Sequence, residues 1–365
     1  MHAALKLNDL FLSAGLTAML LAGFAQAQAQ APSATPTGGV LRPGLHIVSS
    51  GSVRALTEAL VEAFSSRYDQ SQPPRLEIVG AAAALDRFCA GVGVSTPDIA
   101  ISSRRMPRSV ADTCHTNGVT DVVEVQLGLG AVVIATRRGD TLGNLTTRQI
   151  YAALAAEYAL EDDFRLNTTN TWSQINGTLP PTAIRAIVPD SSSGARGLFN
   201  DFVMEGGCRE VKAVRLIFSA TFRVAKCTTL RGDDRVRELS SSDVPAALLA
   251  SPPGTIAAIS YAQMLESGGN LVPVALNGVL PTVASIASGD YDLTRTIYLY
   301  AKRHHARNLQ GVGVVRGIWE FTADAVSESA GGPGGLLSQH GLVPLAPAVR
   351  ARSRMIANRQ TLMSR

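Results

Sequence analysis

Three short runs of small residues carry the groups that can do chemistry in this chain. They are Ser49-Ser50-Gly51-Ser52-Val53, Val79-Gly80-Ala81-Ala82-Ala83 and Pro189-Asp190-Ser191-Ser192-Ser193-Gly194-Ala195. Each follows an apolar, strand-like stretch and opens a stretch of helical periodicity. Small side chains let backbone approach a ligand closely, and a helix start presents unpaired N–H groups and about half a positive charge. Anions bind there without a full counter-charge. The hydroxyls of Ser52 and Ser193 suit both capping of their helices and donation to an oxyanion. One serine-rich helix start is an ordinary cap. Three at strand ends point to a ligand site, because open α/β sheets bind ligands beyond the carboxyl ends of their strands.

Enzyme chemistry finds little support. No G-x-S-x-G elbow surrounds Ser193. His304-His305 has no carboxylate at metal-ligand spacing, the other histidines are scattered, and no C-x-x-C occurs. The run Gly311-Val312-Gly313-Val314-Val315-Arg316 lacks the third glycine of a dinucleotide loop. The expectation is a binding protein, not an enzyme, with no metal and no cofactor.

The elements that must position these loops alternate between short apolar runs and helical patterns. Leu45–Val48, Leu76–Val79 and Asp98–Ser102 read as strands, and Ser52–Tyr68 and Ala81–Ala90 as helices. In the first helix Val53, Leu56, Leu60 and Phe64 share one face. Val122–Val125 and Ala131–Ala135 are further apolar runs around Gly128 and Gly130. Leu145–Leu154 reads as a helix capped by Thr146, Ala186–Val188 and Ile256–Ile259 as strands, and Gly194–Val203 as a helix. Such βαβ alternation predicts an α/β fold with a mostly parallel sheet flanked by helices.

Of 365 residues, 46% are hydrophobic and only 5% aromatic, which excludes wholesale disorder. Residues 1–27 read as a cleaved signal peptide: Lys6, an apolar run from Leu10 to Phe24, then Ala25-Gln26-Ala27. A retained anchor is the other reading of that segment. Residues 28–44 read as a linker. The net charge of +4 comes from the basic tail at 347–365: Arg350, Arg352, Arg354, Arg359 and Arg365 are unaccompanied by acids, and without them the chain is at −1. With no aromatic residues interleaved, the tail reads as a solvated end rather than a nucleic-acid contact. Cys89, Cys114, Cys208 and Cys227 form two sequence-local pairs, which in an oxidising compartment predicts the disulfides Cys89–Cys114 and Cys208–Cys227.

The order of several segments resembles the periplasmic phosphate-binding protein of the ABC-type phosphate importer, a type II periplasmic solute-binding protein. They are Ser50-Gly51-Ser52-Val53, Arg87-Phe88-Cys89-Ala90-Gly91, Asp98-Ile99-Ala100-Ile101-Ser102-Ser103-Arg104 and Asp190-Ser191-Ser192-Ser193-Gly194. Further along come Asn277-Gly278-Val279-Leu280-Pro281-Thr282, Ile286-Ala287-Ser288-Gly289-Asp290-Tyr291 and Gly341-Leu342-Val343-Pro344-Leu345. The resemblance spans about Leu45 to Leu345. It implies two α/β lobes, 45–125 plus 261–346 and 126–260, hinged near Leu127–Ala131 and Gly254–Ser260. It also implies a monomer in the periplasm that captures phosphate or a similar oxyanion and delivers it to the permease subunits of an ABC importer.

Carried over, the phosphate-binding residues would be Ser52, the Val53 amide, Ala81 in the second loop, and Ser193, Gly194 and Ala195 in the third. Four departures stand out. Ala81–Ala84 lack the hydroxyl usual in the second loop, Ala195 stands for a Thr, Pro189 for an Arg, and Ser103 for an Asp. Backbone donors survive all four, while side-chain ligands thin out. Arg104, Arg105 and Arg196 are the candidates for compensating charge, with Arg104 nearest Ser103. The departures also leave open a degenerate module that has lost phosphate and serves as a sensor or adhesion partner, and a secreted hydrolase on the same fold.

Overall fold

The computed structural model of the chain describes residues 41–364 apart from 69–71, 162, 192 and 309–311. The expected signal peptide and most of the expected linker lie outside the described residues. Among the described residues no helix is long and apolar enough to cross a membrane.

The chain builds a two-lobed α/β fold on one mixed sheet. Its strands are β1 His46–Ser50, β2 Arg75–Val79, β3 Ile99–Ser102, β4 Val122–Arg137, β5 Arg185–Pro189, β6 Val236–Leu239, β7 Thr255–Ser260, β8 Leu271–Pro273 and β9 Thr294–Lys302. They lie in the order β2-β1-β3-β9-β4-β7-β5-β6, with β8 beside the far end of β4. Both wings are parallel: β1 pairs with β2 and β3, and β5 with β6 and β7. The centre is antiparallel, where β9 pairs with β3 and β4 and β7 pairs with β4.

Burial follows the period of two that strands impose. Ile47, Ile99, Ile101 and Leu299 enter one core cluster of the first wing, with Phe64 and Phe321. Their neighbours Val48, Ala100 and Tyr300 enter a cluster on the opposite face, with Phe88. Both faces are therefore covered, as parallel sheets require. The second wing has its own cluster, built from Val133 and Ile134 on β4, Ile187 on β5, Ile256 and Ile259 on β7, and Trp172. That cluster also takes in Tyr261, Leu271, Val274, Leu276, Ile286, Tyr291 and Leu293. Residues 261–293, expected with the first lobe, thus pack with the second.

The crossing between wings differs from expectation for the same reason. Val122–Val125 and Ala131–Ala135 are one continuous strand, β4, which pairs with β9 through Val122–Ala131 and with β7 through Val132–Ala135. The chain returns where Leu293 of the second cluster leads into Thr294 of β9. The segment Gly254–Ser260, expected as a hinge, instead lies between β4 and β5 inside the second wing. Gly128 sits at the crossing because Leu342 occupies the place a Cβ would need. Beside it, Leu129 and Val343 exchange backbone hydrogen bonds of 2.8 and 2.9 Å.

The Arg-rich end is not a solvated tail. Pro347–Arg359 is a helix that turns Ser353 and Ala357, four residues apart, into the molecule and keeps Arg352 and Arg359 exposed. Ser353 accepts from the Gln126 amide at 3.3 Å, and Arg350 and Arg354 both pair with Glu328. Cys89 is bonded to Cys114 and Cys208 to Cys227, closing separations of 25 and 19 residues, one in each wing. Loops of this length contribute about 3 kcal/mol each in the chain-entropy model.

Candidate functional site

The first wall forms where β1 ends. Gly51–Val53 makes a single 3-10 turn that leads into helix α1, Arg54–Arg67. Ser49 hydrogen-bonds Thr57 at 2.7 Å, and Ser50 accepts the Ser103 amide at 3.3 Å. Those two hydroxyls are spent on local structure. Ser52 is different: it does not cap α1, whose N-cap is Val53, and its Oγ is buried with no partner among the described residues. Expected as a cap, Ser52 is instead a free hydroxyl. A buried polar group left unpaired costs about 1–3 kcal/mol, so such atoms mark strain or a ligand.

The second free hydroxyl lies at the end of β3. Ser103 is fully buried, and its Oγ also has no partner among the described residues. Arg104 beside it is exposed. Arg105 is committed to Glu124 at 2.7 Å.

The facing wall comes from the second wing. Ser193 caps α2, Gly194–Phe199, by accepting from the Ala195 amide at 3.1 Å, and also accepts from the Ser241 hydroxyl at 2.7 Å. With both lone pairs used, its own proton is left to donate. The helix expected over 194–203 runs on as a wider π turn, Asn200–Glu205. Arg196 is taken by Glu238 at 2.6 Å, Asn200 at 2.9 Å and the Pro189 carbonyl at 3.0 Å. Of the three arginines expected to compensate for the missing ligands, Arg105 and Arg196 are therefore occupied.

Arg295, which the sequence reading passed over, supplies the charge. It sits on β9 opposite Gly130 and donates to the Gly194 carbonyl, so it links the two wings. Burial holds its pKa down to about 10, and the neighbouring Arg104 charge adds to the effect while Asp201 opposes it. Among the described residues neither Arg295 nor Arg104 has a carboxylate within 4.0 Å. The Asp201 carboxyl itself is pushed above its ordinary value by burial and by Glu205. In sequence Arg295 lies four residues past the quoted Ile286–Tyr291 motif, flanked by Thr294 and Thr296. A lone arginine in an alternating strand was the available signal.

A cleft of about 270 Å³ opens at this place, lined by Ser52, Val53, Ala195 and Arg295 among others. Ser103 and Gly194 abut one another beside Arg295, with no space between them for a Cβ on residue 194. Ala81 opens the helix Ala81–Phe88 as expected and is buried; like Ser103, Arg104, Ser193 and Gly194, it is not among the residues lining the cleft. The arrangement offers hydroxyl protons, helix-start amides and the Arg295 guanidinium, with no carboxylate within 4.0 Å of that guanidinium among the described residues. It can hold a fully ionised tetrahedral anion by donation from all sides.

Comparison with known proteins agrees with the fold. Residues 25–314 match the model described as a PBP superfamily domain. No curated protein matches the chain by sequence. Solved structures similar in fold include one described as a possible phosphate binding protein from Planctomyces limnophilus, 18% identical, TM-score 0.57, covering 88% of this chain and 99% of that one. An ABC-type phosphate transport receptor from Vibrio cholerae is 17% identical, TM-score 0.55, over 83% of this chain and 100% of the other. A phosphate binding protein from Stenotrophomonas maltophilia is 11% identical, TM-score 0.58, over 86% and 94%.

Proposed function

The chain belongs to the PBP superfamily, and we propose that it captures phosphate or a related small oxyanion outside the cytoplasmic membrane and presents it to the permease of an ABC importer. The observation that carries this reading is Arg295. A guanidinium partly removed from water, with no carboxylate partner among the described residues, lines the cleft together with the unpaired Ser52 hydroxyl and meets Gly194 beside the unpaired Ser103 hydroxyl. Burying a charge and two hydroxyls without partners is unfavourable, and one oxyanion answers all three deficits at once.

The roles follow from the donors. Arg295 supplies the counter-charge. Ser52, Ser103 and Ser193 donate hydroxyl protons, and the Val53 and Ala195 amides donate from the two helix starts. Because Arg295 belongs to the first wing and reaches Gly194 of the second, anion binding and closure of the lobes are one event. Nothing in the cleft calls for a covalent step.

The relatives described as phosphate-binding support this choice of ligand at the level of the fold. Titration calorimetry with phosphate, sulfate and arsenate tests it. Saturable 1:1 binding of at least one of the three is expected, and the absence of heat with all of them hands the chain to the degenerate-module reading.

A further inference from the structure

The cleft is larger than a bare oxyanion needs. A water takes about 30 Å³ of liquid, so a tetrahedral anion of five heavy atoms displaces roughly two or three of them. The cleft offers about 270 Å³ while Gly194 is already drawn against Ser103 and Arg295. The surplus is walled by elements that play no part in the anion cradle.

Helix α3, Tyr261–Glu266, forms that wall. Ser260 caps it in a reciprocal pair with Gln263, and the Gln263 amide group also donates to the Ser241 carbonyl at 2.7 Å. The far wall is thereby tied to the hydroxyl that meets Ser193. Gly341 packs against Ala262 with no room for a Cβ, which sets His340 beside the same helix.

Tyr261 is the informative residue. It is only 8% exposed, it lines the cleft, and its phenol has no hydrogen-bond partner among the described residues. Burial alone raises its pKa. His340, half-buried, and Glu266, exposed, line the same cleft, each without an ion-pair partner among the described residues. Ala131, Ala262 and Leu342 add apolar surface to the same cleft. The same cleft therefore joins donors and a guanidinium to apolar surface, a phenol and a carboxylate.

Resting on the oxyanion reading, we infer that the solute is an organic phosphate or phosphonate: a tetrahedral anionic head on a short chain ending in a hydrogen-bond donor, an amine foremost. The head occupies the cradle of Ser52, Ser103 and Arg295. The chain packs on Ala131, Ala262 and Leu342. Its terminal donor meets the Tyr261 phenol and the Glu266 carboxylate, which reward a positive end that inorganic phosphate lacks.

The test is calorimetry with inorganic phosphate, methylphosphonate, 2-aminoethylphosphonate, phosphoethanolamine and glycerol phosphate. The two amines should bind about tenfold or more tighter than inorganic phosphate, and comparing them separates phosphonate from ester. Tyr261→Phe and Glu266→Gln should each weaken the amines by roughly threefold or more without weakening inorganic phosphate. Inorganic phosphate binding as tightly as every extended compound overturns the inference and leaves the oxyanion reading standing. No binding by any compound, or binding untouched by Arg295→Gln, overturns both.

Discussion

Gly194 and Ser103 meet so closely between the two wings that a Cβ on Gly194 would overlap the Ser103 hydroxyl. The first residue of a helix in one wing thus rests on the last free hydroxyl of a strand in the other. A Cβ at the same place would lie 3.2 Å from two Arg295 nitrogens. The absence of one methyl group lets the wings close on the charge.

Gly194→Ala should therefore lower anion affinity by about tenfold or more, the scale of one charged hydrogen bond of about 1.5–3 kcal/mol. Ser103→Ala in the same chain removes the overlapping oxygen and should recover part of the loss. Calorimetry on the two single variants and the double variant gives the coupling. Additive losses would contradict the contact.

Selectivity follows from Ser103 standing where a carboxylate is expected. A carboxylate accepts from protonated phosphate and repels sulfate, whereas a hydroxyl can donate to either anion. The wild type should discriminate weakly between a phosphate head and sulfate, and Ser103→Asp should shift the preference away from sulfate. Competition of the two anions on both proteins measures this. Strong exclusion of sulfate by the wild type would show that another acid reads the proton, with Asp201 first in line.

Acid should loosen the first wing through buried histidines. His46 and His305 are 5% and 0% exposed. The His46 pKa is lowered from 6.5 to about 4, by burial and then by the charges of Arg75 and Arg42. His305 is lowered mainly by burial, against the pull of Asp98. Its Nε2 accepts from the Gly93 amide at 2.9 Å while Nδ1 faces Asp98 at 2.7 Å, which fits a neutral ring. A folded-state pKa below the unfolded one means the unfolded chain takes up protons first as pH falls. Stability is therefore full above about pH 6.5 and is lost towards pH 4, by on the order of 2–3 kcal/mol for His46 alone. Urea denaturation across this range checks the slope, and His46→Gln should flatten it. An unchanged slope in that variant would contradict the assignment.

Much of the architecture was legible because the apolar runs match the elements they became. Leu76–Val79 and Asp98–Ser102 lie almost entirely within β2 and β3, and Thr146 caps the helix Thr147–Leu154. Two of the three small-residue loops, those holding Gly51–Val53 and residues 189–195, supply residues that line the cleft, while the loop at residues 80–83 does not. What the sequence hid was set at long range. Gly128 and Gly130 look like breakers within β4, and only Leu342 and Ile297 pressing on them explain why the strand continues. The arginine helix looked solvated because its inward residues, Ser353 and Ala357, are small rather than apolar and large. Arg295 was hidden most deeply. Its partner carbonyl, Gly194, lies 101 residues earlier in the chain, so no local pattern marks it as buried.

The measurement that bears most directly on the account is calorimetric titration of Arg295→Gln beside the wild type. Glutamine keeps donors and approximate length but removes the charge. The account predicts saturable oxyanion binding by the wild type and a loss of at least about tenfold in the variant, with the unfolding midpoint of the ligand-free protein unchanged or raised, since a charge without a counter-ion has been taken out of the cleft. Equal affinity in the two proteins would contradict it, because the anion would then lie away from the guanidinium that joins Arg295 to Gly194.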